Sequence, residues 1–222
     1  MTGYLTPRAR AVALSAAAVA VAIDALLLTV DLANGSPVAD VGGPFLDGWG
    51  FGKALLGAAG LLLVAWWAQS ARWGVLAGVF TLIAIQDRLS WHGRVGSAMA
   101  RAFDLTGLTR LLPASTSAWG SFLVLLGVGA VGGAAVILAW RSHPPLRRPA
   151  VVLGGLLAAL FFFAAIVNLL GSALPDLPFG WVEELGESLV LSLALGYVCG
   201  LVALGPAWLR SAPRTDRVLQ LD

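Results

Sequence analysis

Trp73-Gly74-Val75-Leu76-Ala77-Gly78-Val79-Phe80-Thr81-Leu82-Ile83-Ala84-Ile85 carries no charged side chain, and it then breaks into Gln86-Asp87-Arg88-Leu89-Ser90-Trp91-His92-Gly93-Arg94. The first part has the composition of a helix solvated by lipid. The second is where that solvent must end, because an ionised side chain near the centre of a spanning helix costs about 2.5–3.5 kcal/mol on insertion scales. The same contrast recurs along the chain, and it makes the fold class all-α and polytopic.

Composition agrees. Of 222 residues, 59% are hydrophobic and 12% charged, against roughly 45–50% and 25% in a soluble domain, and the mean hydropathy is +0.86. One soluble core of this size cannot hide several apolar runs of about 20 residues. The pattern predicts a single transmembrane domain over 1–222, a six-transmembrane-helix bundle with spans at about 8–31, 50–68, 73–91, 119–140, 150–170 and 181–209. Its main partner is the lipid bilayer. No basic run is interleaved with stacking aromatics, so nucleic acid is not an expected partner. Cys199 is the single cysteine, which excludes an intrachain disulfide and a thiolate metal site.

Local signals set the boundaries. Thr6-Pro7 is an N-cap followed by proline at the first helical position. Arg8 and Arg10 precede a run that is too long for a signal-peptide core and contains Asp24, so a retained span is expected. Leu32–Gly52, with Asn34-Gly35-Ser36-Pro37 and Gly42-Gly43-Pro44, reads as a loop, after which Lys53 snorkels from the start of the second span. Between spans three and four, Val95, Met99, Ala102 and Phe103 recur at helical spacing and predict an interfacial helix over 94–112, the alternative being a surface loop with a short helix. Gly129 with Gly133, and Gly196 with Gly200, are spaced for close helix packing.

Orientation follows from arginine. With both termini cytoplasmic, Arg8, Arg10, Arg72, Arg141, Arg147 and Arg148, together with Arg210, Arg214 and Arg217, fall on the inner side. Trp66, Trp67, Trp73, Trp91, Trp119, Trp140, Trp181 and Trp208 lie near span ends, as an aromatic belt would. The expected location is the plasma (inner) membrane. His143, among prolines and arginines, reads as a surface residue of an inner turn.

In that topology the polar residues gather toward the outer leaflet: Asp87 and His92 near the end of span three, Glu183, Glu184 and Glu187 at the start of span six, and Asp24, Gln86 and Asn168 in support. Asp24 lies deepest and needs a partner or a proton. On one regular helix Asp87 and His92, five apart, point about 140° from each other, whereas Glu187 can share a face with Glu183 or Glu184. A carboxylate pair and a histidine from a facing helix form a candidate site for a divalent metal, and the bland alternative is a salt-bridged polar cluster using Arg88 or Arg94.

The spacing of Asp87 and His92, with Glu183-Glu184 and Glu187 on a later helix, resembles a family of uncharacterised bacterial multipass membrane proteins. In that family one helix end carries Asp-Glu, four residues and His-Glu, and a later helix carries Glu-Glu, two residues and Glu. Asp87, His92, Glu183, Glu184 and Glu187 stand at acidic or histidine positions of the two motifs, while Gln86 replaces an aspartate and Gly93 a glutamate. The resemblance implies a site and no reaction. Three classes of function follow: an integral membrane protein whose polar cluster is structural, a metal-dependent membrane-embedded enzyme acting on a lipid or small substrate, and a proton-coupled transporter. The scarcity of ionisable residues in the inner halves of the spans argues against the last.

Overall fold

The computed structural model of the chain describes residues 5–34, 44–89, 91–142 and 144–210, with only the backbone at Pro44, Asp87 and Arg210. His143, Arg214, Arg217 and most of the first expected loop lie outside the described residues. Among those described, the chain is all-helical: α1 (Pro7–Ala33), α2 (Pro44–Ala68), α3 (Ala71–Leu89), α4 (Trp91–Ala102), α5 (Thr116–Trp140), α6 (Arg147–Phe161), α7 (Asn168–Ala173), α8 (Phe179–Leu204) and the short α9 (Ala207–Arg210). A π-helical turn, Phe162–Val167, joins α6 to α7 without a break in the rod.

Among the described residues, five stretches are long and apolar enough to cross a membrane: Pro7–Ala33, Phe45–Ala68, Thr116–Trp140, Pro144–Ala173 and Phe179–Leu204. The expected third span is a shorter apolar helix, Ala71–Gln86, within α3. Outward-facing Leu14 (71% exposed) and Leu26 (62%) on α1, with Leu62 (54%) and Trp66 (74%) on α2, would form apolar patches untenable in water. They are the surface expected of a membrane-embedded protein.

Small residues let α1 and α8 meet. A Cβ on Gly196 would lie 2.6 Å from the Ala13 carbonyl oxygen, and one on Gly200 would lie 2.8 Å from the Ala13 Cβ and 3.1 Å from the Ala9 carbonyl oxygen. Rising numbers on one helix meet falling numbers on the other, so the two run antiparallel and the start of α1 lies beside the end of α8. The expected packing role of Gly196 and Gly200 holds. The Gly129–Gly133 pair behaves differently, because Gly129 seats the Phe161 ring while no atom lies within 4 Å of a Cβ built on Gly133.

Three boundaries differ from the sequence reading. α2 begins at Pro44 rather than near Gly50, so the glycines of Trp49-Gly50-Phe51-Gly52 are helical. The cause is an acid on another helix: the buried carboxylate of Asp31, at the end of α1, accepts from the backbone N–H groups of Leu46 (3.0 Å) and Phe45 (3.4 Å) and caps α2. The expected single interfacial helix over 94–112 is two elements. α4 stops at Ala102, Asp104 adopts a left-handed backbone, and its carboxylate caps the 3₁₀ turn Leu105–Arg110 by accepting from the Thr106 backbone N–H (3.4 Å), with a second bond from Thr106 Oγ1 (2.7 Å). α8 ends at Leu204, not Leu209, because Gly205 takes φ 67°, open to glycine, and Pro206 follows.

α4 rests against the start of α5. Gly96 and Gly120 bring the two backbones together so closely that neither site has room for a side chain. Val95 and Met99 are half-buried, but Ala102 and Phe103, the rest of the expected apolar face, are exposed. Trp73 is likewise no belt residue. It is fully buried and its Nε1 donates to Ser142 Oγ at 3.1 Å, tying the start of α3 to the end of α5.

The deepest polar contact corrects the reading of Lys53. It does not snorkel: it is 1% exposed, nine residues into α2, or roughly 13 Å from the helix start. Its ammonium donates to Asp24 Oδ1 (2.7 Å), Ser188 Oγ (2.7 Å), the Ser188 carbonyl oxygen (3.0 Å) and Ser192 Oγ (3.2 Å). Ser192 Oγ in turn donates to Asp24 Oδ2 at 2.7 Å. Asp24 thus has a partner, as its depth requires, and that partner is a lysine.

Removing one member of a buried pair typically costs about 3–5 kcal/mol, since the other is left charged and alone, whereas replacing both by apolar residues is often neutral. Asp24→Leu and Lys53→Met should therefore each lower the melting temperature in detergent strongly, while the double variant recovers most of the loss. A double variant no more stable than the singles would show that the pair is not coupled.

Candidate functional site

A cavity of about 1160 Å³ opens among α3, α5, α6 and α8, touched also by α2 and α4. One end is polar. His92 enters from α4, Gln86 from α3, Asn168 from α7, Asp47 from the first turn of α2, and Glu183, Glu184 and Glu187 from α8. The remaining wall is apolar and includes Val79 and Ile83 of α3, Gly133 and Ile137 of α5, and Val151 and Leu157 of α6. From Val151 to Asn168 the lining follows eighteen residues of one continuous rod, roughly 25 Å at helical rise, against about 30 Å for a bilayer's hydrocarbon core.

Local geometry explains the arrangement. α3 ends at Leu89 and α4 begins at Trp91, so Asp87 and His92 belong to different helices and the 140° separation expected on one regular helix does not apply. The π-helical turn resets the phase of the rod formed by α6 and α7. It begins inside the run Phe161-Phe162-Phe163, and it lays the Phe163 ring against Gly186 of α8. Just beyond it, Asn168 Nδ2 donates to Glu183 Oε1 at 2.6 Å and fixes that carboxylate at the cavity mouth. Gln86 Nε2 lies 3.4 Å from His92 Nδ1. With the amide nitrogen as donor, Nδ1 is the acceptor and the neutral ring carries its proton on Nε2. Ser121 Oγ, on α5, donates to the His92 carbonyl oxygen at 3.4 Å and anchors the start of α4.

Of the sequence-predicted residues, His92, Glu183, Glu184 and Glu187 therefore line one cavity with Gln86 and Asn168, while the side chain of Asp87 lies outside what is described. Asp24 does not join them, being held by Lys53 and Ser192. Asp47, which sequence reasoning missed because it fell in an expected loop, does line the cavity. Among the described residues no three His, Cys, Asp or Glu side chains stand close enough to hold a metal ion, so the described donor set does not fit a preformed metal centre. No family model matches the chain, nor does any curated protein or solved structure.

Burial pushes the imidazolium form of His92 down from its ordinary 6.5. The folded protein then resists a proton that the unfolded chain accepts. The stabilisation is complete above 6.5 and is lost as pH falls toward the lowered folded value. Between about pH 5 and 8, the range in which histidine titrates, the wild-type melting temperature should drop more steeply on acidification than that of His92→Gln. Parallel curves would mean that His92 meets water freely.

Proposed function

We propose that the protein is a six-span integral membrane protein of a bacterial plasma membrane that binds an amphiphile, tail in the apolar part of the cavity and head among His92, Glu183, Glu184 and Glu187. The observation that carries this reading is the two-part lining: one polar end, and an apolar remainder running along most of a bilayer's depth. Pockets for drug-sized ligands hold about 300–1,000 Å³, and a volume of about 1160 Å³ suits a chain-bearing molecule. Leu126, Ile137 and Val151 line the cavity while remaining about half exposed (48%, 52% and 60%), which supports entry of a tail from the surrounding lipid. The amphiphile reading asks only for this shape. A metal-dependent enzyme would require ligands that converge more closely than the described ones do.

The sixth crossing is α3. Its 19 residues rise about 28 Å, nearly the hydrocarbon thickness, and Trp73, Leu76, Ala77, Phe80 and Ala84 are buried among its neighbours. With α3 crossing, Arg8, Arg72, Arg141, Arg147 and Arg148 share one side and the polar cavity mouth faces the other, so the arginine bias supports a cytoplasmic side for both ends of the bundle. A cysteine at Ser172 should then react with an impermeant thiol reagent from outside, in a Cys199→Ala background, and one at Ser142 should not. Labelling of Ser142 from outside would reverse the orientation.

Gly133→Leu tests the binding reading itself. The position lines the cavity and has open space around it, so the leucine should fill the tail region with little change in melting temperature. Native mass spectrometry of gently purified protein should show a co-purifying amphiphile on the wild type and its loss from the variant. Equal retention by both would remove the cavity from consideration as the binding place.

A further inference from the structure

Gln86 is more than nine-tenths buried (7% exposed), yet the fold uses only half of its amide. Among the described residues its hydrogen-bond partner is His92, with Gln86 Nε2 3.4 Å from His92 Nδ1, and its other amide atom meets none. Both side chains line the polar end of the cavity, Gln86 from α3 and His92 from α4. Their two unpaired atoms are not sealed in, as the indole nitrogen of Trp49 is. The open space they reach is the cavity.

The pair offers the same pattern whichever way the amide is turned. With Gln86 Nε2 as donor to Nδ1, the amide oxygen and the His92 Nε2–H are left for the cavity, one acceptor and one donor. With the amide turned over, its oxygen accepts from Nδ1–H, and an amide N–H and the bare Nε2 are left, again one donor and one acceptor. Burial, which pushes the imidazolium form of His92 down, keeps the ring neutral and preserves that balance. A hydroxyl matches it, donating to one atom and accepting from the other. A quaternary ammonium does neither, and an ionised phosphate only accepts, so each strands a desolvated polar group. We infer that the cavity selects an amphiphile whose head presents a hydroxyl and no charge, bound between the Gln86 amide and the His92 ring, with its tail past Gly133 toward Val151. This inference rests on the amphiphile reading above and adds the chemistry of the head.

The test uses the full-length protein in phosphatidylcholine nanodiscs and four probes that share one tail: dodecanol, dodecyl methyl ether, dodecyltrimethylammonium and dodecyl phosphate. The ether is the decisive control, because it keeps the oxygen as acceptor and loses the proton. Affinity is read from the shift in melting temperature against probe concentration, with empty nanodiscs correcting for partition into lipid. The expected result is about tenfold tighter binding of the alcohol than of any other probe, the scale of one buried hydrogen bond and the polar group stranded without it. In Gln86→Met, which keeps the side chain's length and loses its amide, alcohol and ether should bind alike. His92→Phe should have the same effect, and it stands in if the first variant fails to fold. Gly133→Leu should abolish binding of every probe. If alcohol and ether bind the wild type alike and Gly133→Leu abolishes both, the cavity takes tails without reading a hydroxyl, and this inference fails while the binding reading survives. Tighter binding of the ammonium or phosphate probe would overturn it in the same way. A preference for the alcohol that persists in both polar variants would overturn the assignment to Gln86 and His92. If no probe binds, or Gly133→Leu changes nothing, the binding reading fails and this inference with it.

Discussion

A fully buried ammonium and the carboxylate it binds, roughly 13 Å in from the start of α2, constrain everything around them. Taking either from water costs several kcal/mol even after relaxation, and in lipid no water lies nearby to relieve a mismatch. Lys53 and Asp24 are tolerable only with α1, α2 and α8 in one register, because the ammonium must reach Asp24 and Ser188 at 2.7 Å each and Ser192 at 3.2 Å. A one-residue rotation of any of these helices, about 100°, would swing a ligand out. Apolar packing alone is less exacting, since a lipid-facing leucine gains little from one neighbour over another. The small faces of Gly196 and Gly200 against Ala9, Ala13 and Ala17 then close α1 onto α8 at the depth the ion pair dictates.

With three helices fixed, the rest of the bundle is arranged around a space rather than a contact. α5 touches α3 through Gly132 and Val79 and reaches α6 through Gly129 and Phe161, yet Gly133 between them faces nothing. The α6–α7 rod carries a π-helical turn, an irregularity that is rare and often found at functional sites. Its outcome here is concrete: Phe163 covers Gly186, and Asn168 is delivered to Glu183. A regular helix through the same residues would present Asn168 on a different bearing. The polar ends of two helices are thereby joined at the mouth of an otherwise apolar hollow.

Much of this was legible in the residues. Apolar runs and capping chemistry located α1, α5 and α8 to within a few positions, since Thr6-Pro7 acts through local geometry, with Thr6 Oγ1 accepting from the Ala9 N–H at 3.2 Å. The same proline rule applied to Pro44 would have found the start of α2. Glycines at 48, 50 and 52 hid it, and the cap that stabilises it comes from Asp31, a distant residue with no sequence signature. Missing that start by two turns turned Lys53 from a buried ligand of Asp24 into an apparent interfacial residue. The gathering of His92 with Glu183, Glu184 and Glu187 could be expected from the polar ends of two spans. The cavity between them could not, because an empty volume depends on how helices fail to touch, and neither hydropathy nor spacing encodes that.

The order in which the chain is made bears on the ion pair. Asp24 and Lys53 are separated by 29 residues and emerge from the ribosome close together, whereas Ser188 and Ser192 lie 135 and 139 residues beyond Lys53. The pair can therefore form as soon as the second helix enters the bilayer, but the hydroxyls that complete it arrive with the last. During that interval two charges sit in lipid with part of their hydrogen-bonding capacity unfilled, and α1 lacks the partner its small-residue face was shaped for. The nascent bundle is thus held unfinished until α8 docks. A chain that stops short of that helix is left with an exposed polar wound in the bundle's interior, a natural mark for quality control.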